Sequence, residues 1–326
     1  MSGQLQNGSE LDKTVKELYS EVEPPMKAEN KLKTNRNRLR RSRLYVPGNL
    51  PNKILKAGTY FPDCIILDLE DSVPPDEKDK ARIIVRNALR MADFQGAERM
   101  VRINSGEVGF TDLEFIVAQN VHAILVPKVE TGDQIVKINN IINQIMEGCN
   151  REEPVFIIPI IESARGVLKA LEIADSSLNN IGLTIGLEDY TADIGTQRTL
   201  KGKESFFARS MILHAAKAAG IQALDSVHGD FRDENSLRIS VRESKKLGFE
   251  GKGCIHPNQI IPIHEEFSPS DIEISKAKEI IKGFDLAIAN GTGVFELDGK
   301  MIDAPVVERA KQTIKLAIAC GLVTKD

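Results

Sequence analysis

The stretch Val155-Phe156-Ile157-Ile158-Pro159-Ile160-Ile161-Glu162-Ser163 decides the reading of the fold. A β-rich apolar run ends abruptly in a carboxylate, and a helix-like stretch follows it. The same grammar recurs in both directions. Toward the N-terminus it appears as Ala123–Val126 leading to Lys128 and Glu130, and as Met100–Ile103 with Arg102 and Asn104. Before those come Cys64–Leu67 with Asp68, Glu70 and Asp71, and Leu44–Val46. Toward the C-terminus Ile181–Ile185 runs into Gly186-Leu187-Glu188-Asp189, Ile221–Leu224 into Asp225, and Gly253–Ile255 into His256. Intervals of roughly 20 to 40 residues fit βα units, and eight of them match a (β/α)8 TIM barrel. Counting alone leaves an open doubly wound sheet in play. The barrel is favoured because no GxGxxG follows the first run and no GxxxxGK[ST] occurs anywhere. The polar residues also gather at C-terminal strand ends, where barrel enzymes keep their chemistry.

Of the 326 residues, 41% are hydrophobic and 28% charged, enough to bury a large core. A net charge of −4 excludes a globally basic nucleic-acid binder. That charge is uneven: residues 1–43 hold ten Lys/Arg against six Asp/Glu, leaving −8 on the rest. Residues 1–40 therefore read as a flexible basic leader, 41–266 as the barrel, and 267–326 as a C-terminal extension. In the leader Ser9 and Asp12 fit a capping box, Leu11, Val15, Leu18 and Val22 share a helical face, and Pro24-Pro25 ends it. Docking on a partner is weighed there against a solvated tail, the more ordinary fate of such a segment.

The extension reads as helix, hairpin, helix: Pro269–Asn290, then strands joined by Asp298-Gly299 in a type I′ turn, then about Pro305–Cys320. It is too small for a core of its own and is expected to pack on the barrel or on a neighbouring subunit. Four scattered cysteines without a CxxC pair argue against a zinc or dithiol motif. With no membrane-length apolar run and no secretory segment, a cytoplasmic location is expected.

Carboxylates converging on one barrel mouth repel one another unless a cation sits among them. With few histidines and no cysteine cluster, the expected ion is hard and oxygen-seeking, Mg2+ or Mn2+. Arg102 is the natural electrophilic partner for a carboxylate or a developing enolate oxygen, although a strand-end arginine is more often part of an ordinary ion pair. The Gly186-Leu187-Glu188-Asp189 loop offers backbone N–H groups. The set suits a 2-oxo or 2-hydroxy acid and a C–C bond made or broken through an enolate. Lys128 offers a rival chemistry, a Schiff-base 2-oxo acid aldolase, but neighbouring acids raise the pKa that such a lysine needs lowered. His256-Pro257 reads as a hydrogen-bonded turn. Ser163 lacks a nucleophile's setting.

Taken in order, these runs resemble the citrate lyase β-subunit family. The resemblance is carried by Arg41-Ser42-Arg43-Leu44-Tyr45-Val46-Pro47-Gly48, Leu67-Asp68-Leu69-Glu70-Asp71-Ser72-Val73, Val101-Arg102-Ile103-Asn104 and Pro127-Lys128. Ile161-Glu162-Ser163, Gly186-Leu187-Glu188-Asp189-Tyr190, Gly220-Ile221-Gln222-Ala223 and Asp298-Gly299-Lys300-Met301-Ile302-Asp303 continue it. The family is related to malyl-CoA and citramalyl-CoA lyases and, more distantly, to HpcH/HpaI aldolases.

The resemblance implies a Mg2+-dependent TIM-barrel lyase that cleaves a citryl-type 3-hydroxy-acyl thioester into a 2-oxo acid, oxaloacetate, and an acetyl thioester. It implies Glu162 and Asp189 as metal ligands, Arg102 as the substrate-binding arginine, and Glu70 and Asp71 close behind the metal. Glu162, Gly186, Leu187 and Glu188 would also line the substrate. Asp303 would be the acid/base, delivered to an adjacent subunit's site within a homotrimer or hexamer. The thioester would be carried by CoA or an acyl-carrier protein, the latter alongside citrate lyase α and γ subunits. Where the family's citrate lyase branch tends to have Asn-Pro, this chain has His256-Pro257, which the acyl-CoA lyases favour. Malyl-CoA or citramalyl-CoA cleavage is therefore the alternative, and a non-catalytic scaffold subunit is another.

Overall fold

A computed structural model describes residues 33–324. Eight parallel strands form a closed barrel in sequence order: β1 (Ser42–Pro47), β2 (Cys64–Asp68), β3 (Glu98–Arg102), β4 (Ala123–Val126), β5 (Phe156–Ile161), β6 (Gly182–Ile185), β7 (Gln222–Asp225) and β8 (Gly251–Cys254). Closure is direct, since Arg43 stands opposite Gly253 and Leu44 opposite Cys254 in the β1–β8 pair. The open sheet is thereby excluded.

Both faces of these strands are covered, which is why they read as continuous apolar runs rather than as alternation. On β2, Cys64 and Ile66 belong to a cluster inside the barrel with Met100, Leu125, Ile158 and Leu224. Ile65 and Leu67 belong to the larger cluster between sheet and helices. On β1, Leu44 and Val46 take the outer layer, so Arg43 and Tyr45 occupy the inward positions of the same strand.

The described residues ahead of β1, 33–41, lie against the barrel's N-terminal end. Arg40 is 1% exposed and grips Glu98 with two hydrogen bonds of 2.7 and 2.8 Å. It also donates to Gln222 Oε1 at 2.5 Å, while Arg36 donates to the carbonyls of Leu178 and Asn180. Charge counting grouped these arginines with the leader, yet here they form the floor of the barrel. The expected helix over Leu11–Val22 lies outside the described residues.

In the extension, helices Asp271–Ala289 and Ala304–Ala319 flank the hairpin Phe295–Leu297 and Lys300–Ile302. Asp298 (φ 51°) and Gly299 (φ 72°) supply the two positive φ angles of a type I′ turn. The helices bury Ile274, Ala277, Val307 and Ala310. The junction is tied to β1 by Arg41, which donates to Ser268 Oγ at 2.9 Å and to Cys320 Sγ at 3.4 Å.

Candidate active site

The C-terminal ends of the strands bring most of the named side chains together around a cavity of about 180 Å3, whose lining includes Tyr45, Arg102, Glu162, Glu188 and Asp189. Its best-braced element is Arg102 at the end of β3. Adjacent parallel strands place Asp68 opposite it, and the guanidinium closes a fork on that carboxylate, Nε to Oδ1 and Nη2 to Oδ2, both at 2.7 Å. Asp68 is positioned in turn by the N–H groups of Glu70 (3.0 Å) and Ser72 (3.2 Å). Burial would raise its carboxyl, but Arg102 outweighs burial and holds it below the usual carboxylate range. The arginine's remaining nitrogen, Nη1, lies 2.9 Å from Glu70 Oε2 and 3.4 Å from Asp71 Oδ2. Tyr45 supports the guanidinium from below, 5.2 Å from ring centre to Cζ. One edge of the arginine is thus fixed by protein and the other faces the acids of the mouth.

Glu162 is the opposite case. It ends β5, is 5% exposed, and its Oε2 has no hydrogen-bond partner. Burial, with the charges of Glu70 and Asp189, pushes its carboxyl up to about 8, against the smaller pull of Arg102 and Lys128. Glu70 is raised as well, chiefly by burial. Lys128 reaches Glu70 Oε1 at 3.1 Å and Asp71 at 3.9 Å. Burial would lower the Lys128 ammonium, but Glu70 outweighs it and the pKa rises. That is the wrong direction for an amine that must attack as a free base. Lys128 also holds a left-handed backbone (φ 54°), which is uncommon outside glycine, asparagine and aspartate and clusters at functional sites.

Can these residues hold a cation? An unpaired buried carboxylate facing two further acids is the arrangement a cation would relieve. Among the described residues no three His, Cys, Asp or Glu side chains converge as a ready metal cage. Mg2+ does not require one, since it keeps several waters and takes one or two carboxylates plus substrate oxygens. Gly186 makes room for this. A Cβ at that position would lie 2.9 to 3.0 Å from the Glu162 carboxyl group.

Other expected residues are engaged differently. The N–H of Gly186 donates to Ile161 O (2.9 Å) and that of Leu187 to Ser226 Oγ (3.3 Å), so neither is free for substrate. Glu188 pairs with Arg198 at 2.7 Å. Asp303 is not among the residues lining the cavity of its own chain; it caps helix Ala304–Ala319 by accepting from Val306 N–H. His256 behaves as a turn residue, accepting from Asn258 N–H at 3.2 Å and stacking on Phe231 at 4.8 Å.

Three residues were not singled out on sequence. Tyr45 and Thr184 sit within apolar runs and carry no signal of their own. Arg43 was counted with the basic leader, although its neighbours Leu44 and Val46 mark an inward-facing position.

Comparison with known proteins gives consistent results. Residues 41–257 match the family model described as HpcH/HpaI aldolase/citrate lyase. The chain is 39% identical over 297 residues to citrate lyase subunit beta of Leuconostoc mesenteroides subsp. cremoris, covering 90% of this chain and 98% of that protein. It is 36% identical over 291 residues to the mitochondrial citramalyl-CoA lyase of Homo sapiens, covering 85% of each. Among solved structures it resembles protein CitE from Mycobacterium tuberculosis in complex with magnesium, acetoacetate and coenzyme A. The TM-score is 0.72 at 30% identity, over 87% of this chain and 99% of that one.

Proposed function

The chain belongs to the HpcH/HpaI aldolase/citrate lyase family, and from that premise we propose that it is a Mg2+-dependent carbon–carbon lyase cleaving a citryl-type thioester to oxaloacetate and an acetyl thioester. The observation that carries the reading is Glu162, a buried carboxylate without a partner at the mouth of the barrel. Glu162 and Asp189 would hold the ion, with Glu70 and Asp71 behind them. Bound there, Mg2+ supplies Lewis acidity to the oxygens of the 2-hydroxy acid.

The remaining work falls to the chain's own groups. Arg102, fixed by Asp68, presents Nη1 to the charge that develops as the bond breaks. In the cleavage a carboxylate of the mouth takes the proton of the substrate hydroxyl, whose oxygen becomes the new carbonyl. The electron pair of the C–C bond passes to the acetyl carbon as a thioester enolate, which a carboxylic acid then protonates. Asp303 is proposed for that last role from a neighbouring copy, because it does not line the cavity of its own chain. This makes the functional unit a homo-oligomer, a trimer or hexamer. Mixing two inactive variants, Asp303→Asn and Glu162→Gln, under conditions that exchange subunits should restore part of the activity. No recovery would rule out a shared site.

Among the described residues no helix is long and apolar enough to cross a membrane, and a cytoplasmic setting is proposed. The thioester carrier is proposed as CoA or an acyl-carrier protein, the latter with partner subunits of a citrate lyase complex.

The deciding experiment incubates the protein and Mg2+ with citryl, malyl and citramalyl thioesters and measures the 2-oxo acid released. Release that a strong chelator abolishes is expected. Release that persists in chelator, or no release from any thioester, would overturn the reading.

A further inference from the structure

Below Tyr45 on β1, Arg43 projects into the barrel and lines the floor of the same cavity. It is 1% exposed. Its Nη2 donates to Asp225 O at 2.7 Å and to Thr184 Oγ1 at 3.1 Å. Its Nε and Nη1 are buried with no hydrogen-bond partner. No carboxylate among the described residues pairs with it. The Asp225 side chain, whose backbone accepts from Arg43, is committed on the outer side of the barrel to Arg209 (2.7 Å) and Lys252 (3.1 Å).

A buried guanidinium with unmet donors is strongly disfavoured unless an anion completes it. Three other buried arginines have what Arg43 lacks: Arg40 has Glu98, Arg82 has Asp112, and Arg209 has Asp225. Arg43 differs in facing the cavity, so the missing anion can arrive with the ligand. Burial lowers its pKa, as expected for a charge still waiting for its counter-ion.

We propose that Arg43 is a specificity-determining residue that binds a second carboxylate of the substrate, one remote from the reacting carbon, so that the site selects acyl groups which release a dicarboxylic 2-oxo acid. The inference rests on the lyase reading above and narrows it. Cleavage of a citryl thioester leaves oxaloacetate, whose far carboxylate would occupy the Nε/Nη1 edge of Arg43 while its 2-oxo acid end sits at Glu162 and Arg102. Pyruvate and glyoxylate, the products of citramalyl and malyl thioesters, have no group to place there. Thr184 fixes the guanidinium and serves as a positioning residue.

The test is calorimetric titration of the full chain, in Mg2+, with oxaloacetate and separately with pyruvate. The expected result is at least tenfold tighter binding of oxaloacetate. In Arg43→Met, which keeps the length and removes the charge, oxaloacetate should weaken by tenfold or more and pyruvate by less than threefold, with no loss of thermal stability. Steady-state rates should show the same split, with KM for the citryl thioester rising and kcat changing little. Equal affinity of the two acids for the unaltered protein would overturn the inference and leave the lyase reading standing, and that comparison requires no variant to fold. Equal losses of both acids in Arg43→Met would overturn it too. Failure to bind either acid would overturn the lyase reading, and the inference with it.

Discussion

The two ends of this barrel treat buried carboxylates in opposite ways. At the N-terminal end Glu98 is fully buried and held by Arg40 with two hydrogen bonds, a third coming from Thr34. At the C-terminal end Glu162 is almost as buried and has an oxygen with no partner. Both sit on barrel strands and both are costly to desolvate. What separates them is whether the chain supplies the counter-charge itself or leaves it to a ligand. Completed electrostatics marks structure here, and incomplete electrostatics marks the site.

That contrast can be broken by experiment. The largest effect should come from Glu98→Gln, which leaves Arg40 buried without its charge partner. A loss of about 3–5 kcal/mol in urea unfolding is expected, and a loss below about 1 kcal/mol would mean the floor is not held by this pair. Glu162→Gln should do the reverse, lowering thioester cleavage by at least about 100-fold, beyond what loss of an outer-shell partner causes. Its unfolding midpoint should stay level or rise, because the substitution relieves an unpaired acid. Gly186→Ala comes next. Its methyl would press on the Glu162 carboxylate, and about a tenfold loss of activity with unchanged circular dichroism is expected, the scale seen when a metal ligand is disturbed but not removed.

The smallest effect is a pH signature with opposite signs for two carboxyls. Glu162 binds its proton more tightly folded than unfolded, so in chelator stability should fall as pH rises from about 4.3 to about 8. Glu162→Gln should flatten that slope. For Asp225 burial would raise the carboxyl, but Lys252 and Arg209 outweigh it and hold it well below the usual carboxylate range. Its contribution is therefore complete above about pH 4 and lost only as pH falls through the depressed value. Urea midpoints at pH 8, 6, 4 and 3 for wild type and Glu162→Gln separate the two. A Glu162→Gln curve parallel to wild type between pH 4 and 8 would contradict the assignment.

Much of this was legible in the chain, for physical reasons. Strands covered on both faces read as uninterrupted apolar runs, so Ala123–Val126 was bounded to the residue, and Val155–Ile161 differed from the strand Phe156–Ile161 by one. Strand ends carry the polar side chains, so Asp68, Arg102, Glu162 and Asp189 stood out before any geometry. Inward-facing residues below the mouth left no such mark. Arg43 lies seven residues after Arg36 in a basic stretch, and charge counting cannot separate a guanidinium that seals the floor from one that points into the cavity. Asp303 was legible only through resemblance. Its relation to a site depends on a second copy of the chain, and one chain's sequence does not say how copies meet.

The arginines of the floor also bear on how the molecule comes together in time. Arg36 reaches carbonyls at Leu178 and Asn180, and Arg40 reaches Gln222, partners 142 to 182 residues further along the chain. The Arg36 bonds cannot form until the segment leading into β6 is in place, nor the Arg40 bond until β7 has been made. Contacts of such sequence separation carry a loop-closure cost before they are rewarded, which slows folding. During synthesis the first strand therefore emerges early and must wait for its last neighbours. Barrel closure is expected to come late, and late protection of the Lys252 amide, which donates to Arg41 O at 2.8 Å across the closing seam, would be its kinetic signature.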